Sequence, residues 1–130
     1  MNNNPLSDIR HYSPTMTISQ LMKFCEKKEL KITRAMVQNY IRDGVMPPPA
    51  NKRFYTHKHL AALVVIDRLK TVFEIPQIKA ELEPFLDDEG LPLEIYFELM
   101  QNARSLTENF KNGEALQIMA CAAEMKGYVT

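Results

Sequence analysis

The sequence has few of the residues that build metal centres, disulfide frameworks or phosphate-binding loops. Its two cysteines, Cys25 and Cys121, lie far apart without a CxxC pair, which predicts free thiols in a reducing compartment. The four glycines form no glycine-rich phosphate loop. His57 and His59 would lie about 200° apart on a helix, so we do not expect them to share a metal ion. We therefore expect no cofactor, no metal and no enzymatic activity.

Long apolar stretches are also missing. The longest, Leu60–Ile66, is too short to cross a bilayer. The polar start, Met1–Pro5, lacks the basic and apolar regions of a secretory signal. These features predict a cytoplasmic protein that does not contact a membrane.

The formal net charge is zero, but acidic residues are scarce in the first half of the chain and basic residues are scarce in the second half. Residues 1–79 contain 13 Lys and Arg against 6 Asp and Glu, a net +7, whereas residues 80–130 contain 3 against 10, a net −7. A basic segment attracts phosphates and an acidic segment repels them. If the protein binds DNA, the contacts belong to the first half.

Threonines mark the predicted helix starts. Thr17 and Gln20 have the spacing of a capping box before a helix over Ile18–Lys27, whose apolar residues share one face. Thr33 is expected to cap a second helix that ends before Gly44, a residue suited to a left-handed helix end.

The second helix has a polar face in which Arg34, Gln38 and Arg42 are four residues apart. An exposed Arg and Gln face on a short helix after a turn is what a groove-reading helix requires. A solvated surface helix is the alternative.

A short wing is predicted next. Three prolines, Pro47–Pro49, exclude a helix, and Arg53–Tyr55 alternates like a short strand, so we expect a wing with Lys52 and Arg53 at its tip. Thr56 would then cap an apolar core helix that extends to Phe73.

Further along the chain, Pro76 and Pro92 are each expected to open a helix, and an acidic loop over Asp87–Gly90 separates the two helices. The organisation predicted from these patterns is a flexible arm over 1–15, a DNA-binding domain over 16–86 and a C-terminal helical hairpin over 91–130. The hairpin would serve dimerisation or bind an effector, whose identity the sequence does not indicate.

Three segments together resemble a known family. Met36–Pro47 is similar to the recognition helix of MerR-type transcription regulators, Arg53–Thr56 resembles their wing, and Val72–Lys79 resembles the link between their last two DNA-domain helices. The resemblance covers about residues 16–82. It implies a winged helix-turn-helix that binds a palindromic site as a homodimer.

The resemblance also implies roles for individual residues. Tyr40 and Arg42 would hold phosphates from the recognition helix and Arg53 from the wing, while Tyr55 would pack the wing down. The sequence departs from the family at Gln38–Asn39, where many members have Arg-Tyr, and Gln and Asn can pair with adenine edges. The link between the first two helices, residues 27–32, is also longer here. The predicted DNA contacts are Lys31, Arg34, Gln38, Asn39, Tyr40, Arg42, Lys52, Arg53, Tyr55 and Lys58.

An apolar stripe on the helix after Pro92 is the predicted dimer interface, with burial in the chain's own core as the alternative. Its members are Leu93, Tyr96, Phe97, Met100, Leu106 and Phe110. Family members that sense metals use clustered cysteines, and the lone Cys121 predicts no such role.

The sequence therefore predicts an all-α fold with a minimal β wing, in which a winged helix-turn-helix precedes a C-terminal helical segment. The expected function is sequence-specific binding of double-stranded DNA by a homodimeric transcriptional regulator of the MerR type. The alternative is a protein–protein interaction adaptor that uses the winged helical fold and the acidic C-terminal helices.

Overall fold

The structure is a computed structural model, and it describes residues 6–71 and 73–98. This part of the chain is mainly helical with one two-stranded sheet. In chain order its elements are a 3-10 helix (Ile9–His11), β1 (Thr15–Met16), α1 (Ile18–Lys27), α2 (Arg34–Arg42), β2 (Tyr55–Thr56), α3 (His57–Leu69), α4 (Ile75–Leu82) and a second 3-10 helix (Glu83–Phe85). Residues 93–98 are also helical.

The predicted helix starts at Thr17, Thr33 and Thr56 are confirmed. Each threonine is an N-cap whose hydroxyl oxygen accepts a backbone N–H of the first turn. At Thr17 the capping box is complete, because the Thr17 N–H also donates to Gln20 Oε1 at 2.8 Å. Side-chain acceptors therefore satisfy helix N–H groups that would otherwise lack partners.

The core is built around α3. Every residue from Leu60 to Ile66 is fully buried, as the apolar pattern predicted. Burial of each large apolar side chain contributes roughly 1.5–3 kcal/mol to folding. The helix ends at Leu69 rather than at the expected Phe73. The Thr71 hydroxyl donates to the Arg68 carbonyl at 3.0 Å, a local bond that competes with continuation of the helix.

The expected loose arm is wrong for residues 6–15. Leu6 and Ile9 are buried in the core, and β1 pairs antiparallel with β2. Lys28 donates to the Asp8 carboxylate at 2.8 Å, and the pairing lowers the pKa of Asp8. Two apolar residues are too few to produce a periodic pattern, so the sequence did not reveal this packing.

The predicted boundary between residues 86 and 91 does not divide the core. Leu91 and Tyr96 are fully buried in the same apolar cluster as α3, and the Leu91 N–H donates to the Lys58 carbonyl at 3.0 Å. Beyond position 98, the expected helical hairpin lies outside the described residues. Among the described residues, no helix has the length and apolarity to cross a membrane.

Cys25 is a free, buried thiol, as predicted, and burial raises its pKa to about 12. It therefore stays protonated and packs as a small apolar residue rather than acting as a nucleophile.

Candidate nucleic-acid interface

The second helix is amphipathic and its polar side faces solvent. Val37 and Tyr40 are buried against the core. Arg34, Gln38 and Arg42, which we call the α2 outer face, are all exposed and follow each other one helical turn apart. Helix α2 therefore presents two cations and one amide on a single stripe.

The two arginines of the α2 outer face have different partners. Arg34 donates to Ser19 Oγ at 3.5 Å, and its charge also acts on the Tyr55 phenol. The start of α2 therefore lies beside the start of α1 and beside β2. Arg42 forms an ion pair with the adjacent Asp43 at 3.1 Å, which raises the pKa of Arg42. Both partners are solvent-exposed, so a phosphate can replace Asp43 without uncovering a buried charge.

Between α2 and β2 the chain makes a tight, basic turn. Ala50 and Phe54 form a bridge, and the Arg53 N–H donates to the Ala50 carbonyl at 3.0 Å. Asn51 and Lys52 have φ values of 53° and 61°, and two consecutive positive values are characteristic of a type I′ turn. We call residues 50–54 the basic turn, since Lys52 and Arg53 are exposed at its tip.

The expected strand over 53–55 is displaced. The strand is Tyr55–Thr56, and its partner is β1 rather than another part of the predicted wing. Phe54 is 36% exposed, and the Arg53 guanidinium lies 5.6 Å from its ring centroid. Phe54 is not among the predicted contacts, although its place beside the two cations of the turn is a signal in the sequence.

The basic turn is fixed to α3 through His59. The Tyr55 ring is buried and packs edge-on against the His59 ring, with centroids 5.3 Å apart. Nδ1 of His59 accepts the Thr56 N–H at 2.9 Å, and Nε2 donates to the Pro48 carbonyl at 3.2 Å. Burial lowers the pKa of His59, so the neutral ring that makes both bonds is favoured.

One predicted phosphate contact needs correction, and another has a buried ring. Tyr40 is only 5% exposed, and burial raises its pKa, but it also lines a groove beside Asn39 and Arg42, so the predicted contact of its hydroxyl stays a prediction. Lys58 donates to Asp87 Oδ2 at 2.7 Å, and the carboxylate raises the pKa of this lysine. Lys58 therefore faces residues Asp87–Gly90, which we call the acidic turn, and it does not join the cations near α2.

Of the other predicted contacts, Tyr55 is buried against His59, whereas Lys31 and Asn39 are at the surface. Lys31 has an exposed side chain, and its backbone is held by Asp67, which accepts its N–H at 3.0 Å, and by Lys70. Asn39 is exposed on α2 but lines a groove of about 570 Å³ together with Asp43, Phe73 and Glu74.

The residues of the predicted dimer stripe differ in how far they are buried. Tyr96 is fully buried in its own chain, so it is a core residue and does not form part of an interface. Leu93 is half-buried. Phe97 is 37% exposed, with its ring edge-on to Tyr96. Met100, Leu106 and Phe110 lie outside the described residues.

The described part of the chain is thus a mainly helical domain with a two-stranded sheet, an outward-facing polar stripe on α2 and a basic turn. Residues 13–99 match the model of a family described as Domain of unknown function (DUF1836). Because the match covers more than half of the chain, the protein belongs to this family. No curated protein and no solved structure shows significant similarity to it.

Proposed function

We propose that this protein is a sequence-specific DNA-binding transcriptional regulator. In this proposal α1 and α2 act as the helix-turn-helix and the basic turn acts as the wing. The observation that carries the proposal is the α2 outer face. A helix that buries Val37 and Tyr40 in the core holds Arg34, Gln38 and Arg42 rigidly outward, as insertion into a major groove requires.

Phosphate contacts would supply most of the affinity. The exposed cations available near α2 and the turn are Lys31, Arg34, Arg42, Lys52 and Arg53. Each phosphate neutralised by such a cation steepens the dependence of log K on log salt concentration by about 0.9. Binding is therefore expected to weaken strongly as salt is added.

The resemblance to MerR-type regulators supports a homodimer on a palindromic site in the bacterial cytoplasm. A symmetric dimer doubles the number of phosphate contacts and fixes the spacing of the two half-sites. Of the predicted interface residues within the described part of the chain, Phe97 is the exposed one that can contact a second copy.

The first prediction concerns the two arginines that the proposal places on phosphates. We expect Arg42→Ala combined with Arg53→Ala to weaken binding to a random-sequence duplex and to flatten the salt slope by about 2 per subunit. Fluorescence anisotropy of labelled duplex across a salt series measures both quantities for the full-length chain.

A charge-matched control is available in Arg10→Ala combined with Lys27→Ala. It removes two exposed cations from the first 3-10 helix and the end of α1, and we expect it to leave the slope unchanged. Equal slopes for the Arg42 and Arg53 variant and the wild type would show that the interface is misplaced.

One observation favours a second candidate, the protein–protein adaptor. Phe97 is exposed between the exposed acidic residues Glu94 and Glu98, and an apolar residue with a polar rim is common at protein interfaces. Absence of salt-sensitive DNA binding by the wild type would favour this role.

A further inference from the structure

Gln38 lies at the centre of the α2 outer face. Its side chain is exposed, and it has no hydrogen-bond partner among residues 6–71 and 73–98. Arg34 precedes it by one turn and Arg42 follows it by one turn. An unpaired amide between two cations suits recognition of a target that carries negative charge on both sides of a polar edge.

The length of this stripe suits a helix that lies in the major groove. Arg34 and Arg42 are eight residues apart, which is about 12 Å along a helix that rises 1.5 Å per residue. The major groove of B-DNA admits an α-helix. When the two arginines contact phosphates from the two ends of the stripe, Gln38 lies midway between them, over the base edges.

The chemistry of the amide selects among the bases. A carboxamide has an N–H donor and a carbonyl acceptor side by side. Adenine presents the complementary pair in the major groove, the N7 acceptor and the N6 donor, whereas guanine presents two acceptors. Guanine would therefore place its O6 opposite the Gln38 carbonyl oxygen, and the second hydrogen bond would be lost.

We propose that Gln38 is a specificity-determining residue that reads an adenine in the major groove through paired hydrogen bonds to N6 and N7. This inference rests on the DNA-binding function proposed above. It assigns the base contact to a single side chain. Arg34 and Arg42 position that side chain by binding phosphates of the DNA backbone.

Asn39 has the same functional group but a less suitable location. It lies about 100° around the helix from Gln38, off the line that joins Arg34 and Arg42. There it lines a groove with two carboxylates and two cations, Asp43, Glu74, Arg42 and Lys70, whose formal charges cancel, so this groove has no net attraction for DNA phosphates. Asn39→Ala is therefore a matched control that removes a neighbouring amide from the same helix.

The experiment begins with selection of bound sequences from a random duplex pool by the full-length wild type, at moderate salt. Selected sites are expected to contain an adenine whose replacement by guanine weakens binding about 5- to 150-fold. Gln38→Ala should abolish this preference while keeping the salt slope, because the phosphate contacts remain. Asn39→Ala should keep the preference.

A modified base identifies the contacted atom. Replacing the selected adenine by 7-deazaadenine removes the N7 acceptor. It should weaken binding by the wild type and leave binding by Gln38→Ala unchanged, which is the coupling expected of two groups in contact.

The outcomes separate this inference from the function on which it rests. Wild-type binding that is salt-sensitive but without an adenine preference overturns the role of Gln38 and leaves DNA binding standing. A preference that survives Gln38→Ala, or that disappears with Asn39→Ala, also overturns it. No salt-sensitive binding by the wild type overturns both proposals.

Discussion

Gly90 ends the acidic turn at a position where a side chain has no room. Its φ is +133°, and a Cβ built there would lie 2.5 Å from the backbone carbonyl of Lys58. The Asp87 carboxylate accepts the N–H groups of Glu89 and Gly90, and Leu91 then enters the core. The glycine lets the chain pass close to the start of α3.

We expect Gly90→Ala to lower the free energy of unfolding by about 2–4 kcal/mol, because the methyl group meets backbone and the φ is unfavourable for an L-residue. Urea denaturation followed by circular dichroism measures the change.

Gly44→Ala is the control for this prediction. Gly44 has a φ of +75°, but its Cβ would meet only the flexible Lys79 side chain, at 3.3 Å. The expected cost is about 1 kcal/mol, from the backbone conformation alone. A smaller loss for Gly90→Ala than for Gly44→Ala would contradict this account of the acidic turn.

The sequence predicted the location of some proposed DNA-contact residues correctly and of others incorrectly. The spacing of four residues put Arg34, Gln38 and Arg42 on one face, and all three are exposed. The same periodicity put Tyr40 on the apolar face, where its ring is buried, and the phosphate role that the family resemblance gave its hydroxyl stays a prediction. Lys58 pairs with Asp87, which lies 29 residues further along the chain, and periodicity carries no information about so distant a partner.

At the scale of elements, local interactions explain what was predictable. Capping by Thr17, Thr33 and Thr56 involves residues no more than three positions apart, so the helix starts follow from the sequence. The sheet was not predictable, because it pairs residues that are far apart in the sequence, Thr15 with Thr56. Two-residue strands are also too short for an alternating pattern.

The basic turn contains an avoidable strain. Lys52 has a φ of 61°, which costs an L-residue roughly 1–2 kcal/mol relative to its preferred conformations. We expect Lys52→Gly to raise the free energy of unfolding by about 0.5–1 kcal/mol. Relief of the backbone strain stabilises the fold, and the entropy that glycine gains in the unfolded chain offsets only part of this gain. Thermal or urea unfolding tests this directly.

Lys52→Ala separates charge from backbone strain in the same turn. It removes the cation and keeps a Cβ, so stability should stay close to that of the wild type. Under the proposed function, both substitutions weaken DNA binding to a similar degree, because both remove one phosphate contact. A stabilising effect of Lys52→Ala equal to that of Lys52→Gly would rule out strain as the cause.

For the molecule as a whole, stability should depend on pH through His59. Burial lowers the pKa of His59 below its ordinary value of 6.5, whereas the nearby carboxylates Asp87 and Glu89 oppose this shift. As pH falls below about 6.5, the unfolded chain takes up a proton that the folded chain resists, so stability falls. The loss ends once the pH is below the folded pKa.

Urea unfolding of the full-length chain between pH 7.5 and pH 5 measures this dependence. His59→Gln is the informative variant, because Gln at this position can still accept the Thr56 N–H as the third residue of a capping box. The variant should be less stable at pH 7.5 and should show a weaker pH dependence. An undiminished slope would assign the dependence to other groups.

The pairing of β1 with β2 has a consequence for the order in which the chain folds. The helices can form early from local contacts, but Met16 pairs with Tyr55, 39 positions away, and Leu91 bonds to Lys58, 33 positions away, so both reach the core only after these loops have closed around α3. Closing such loops costs entropy before the contacts are made, and folding slows as the mean sequence separation of contacts grows. We therefore expect this mainly helical chain to fold more slowly than a simple helical bundle, at a rate typical of mixed α/β domains.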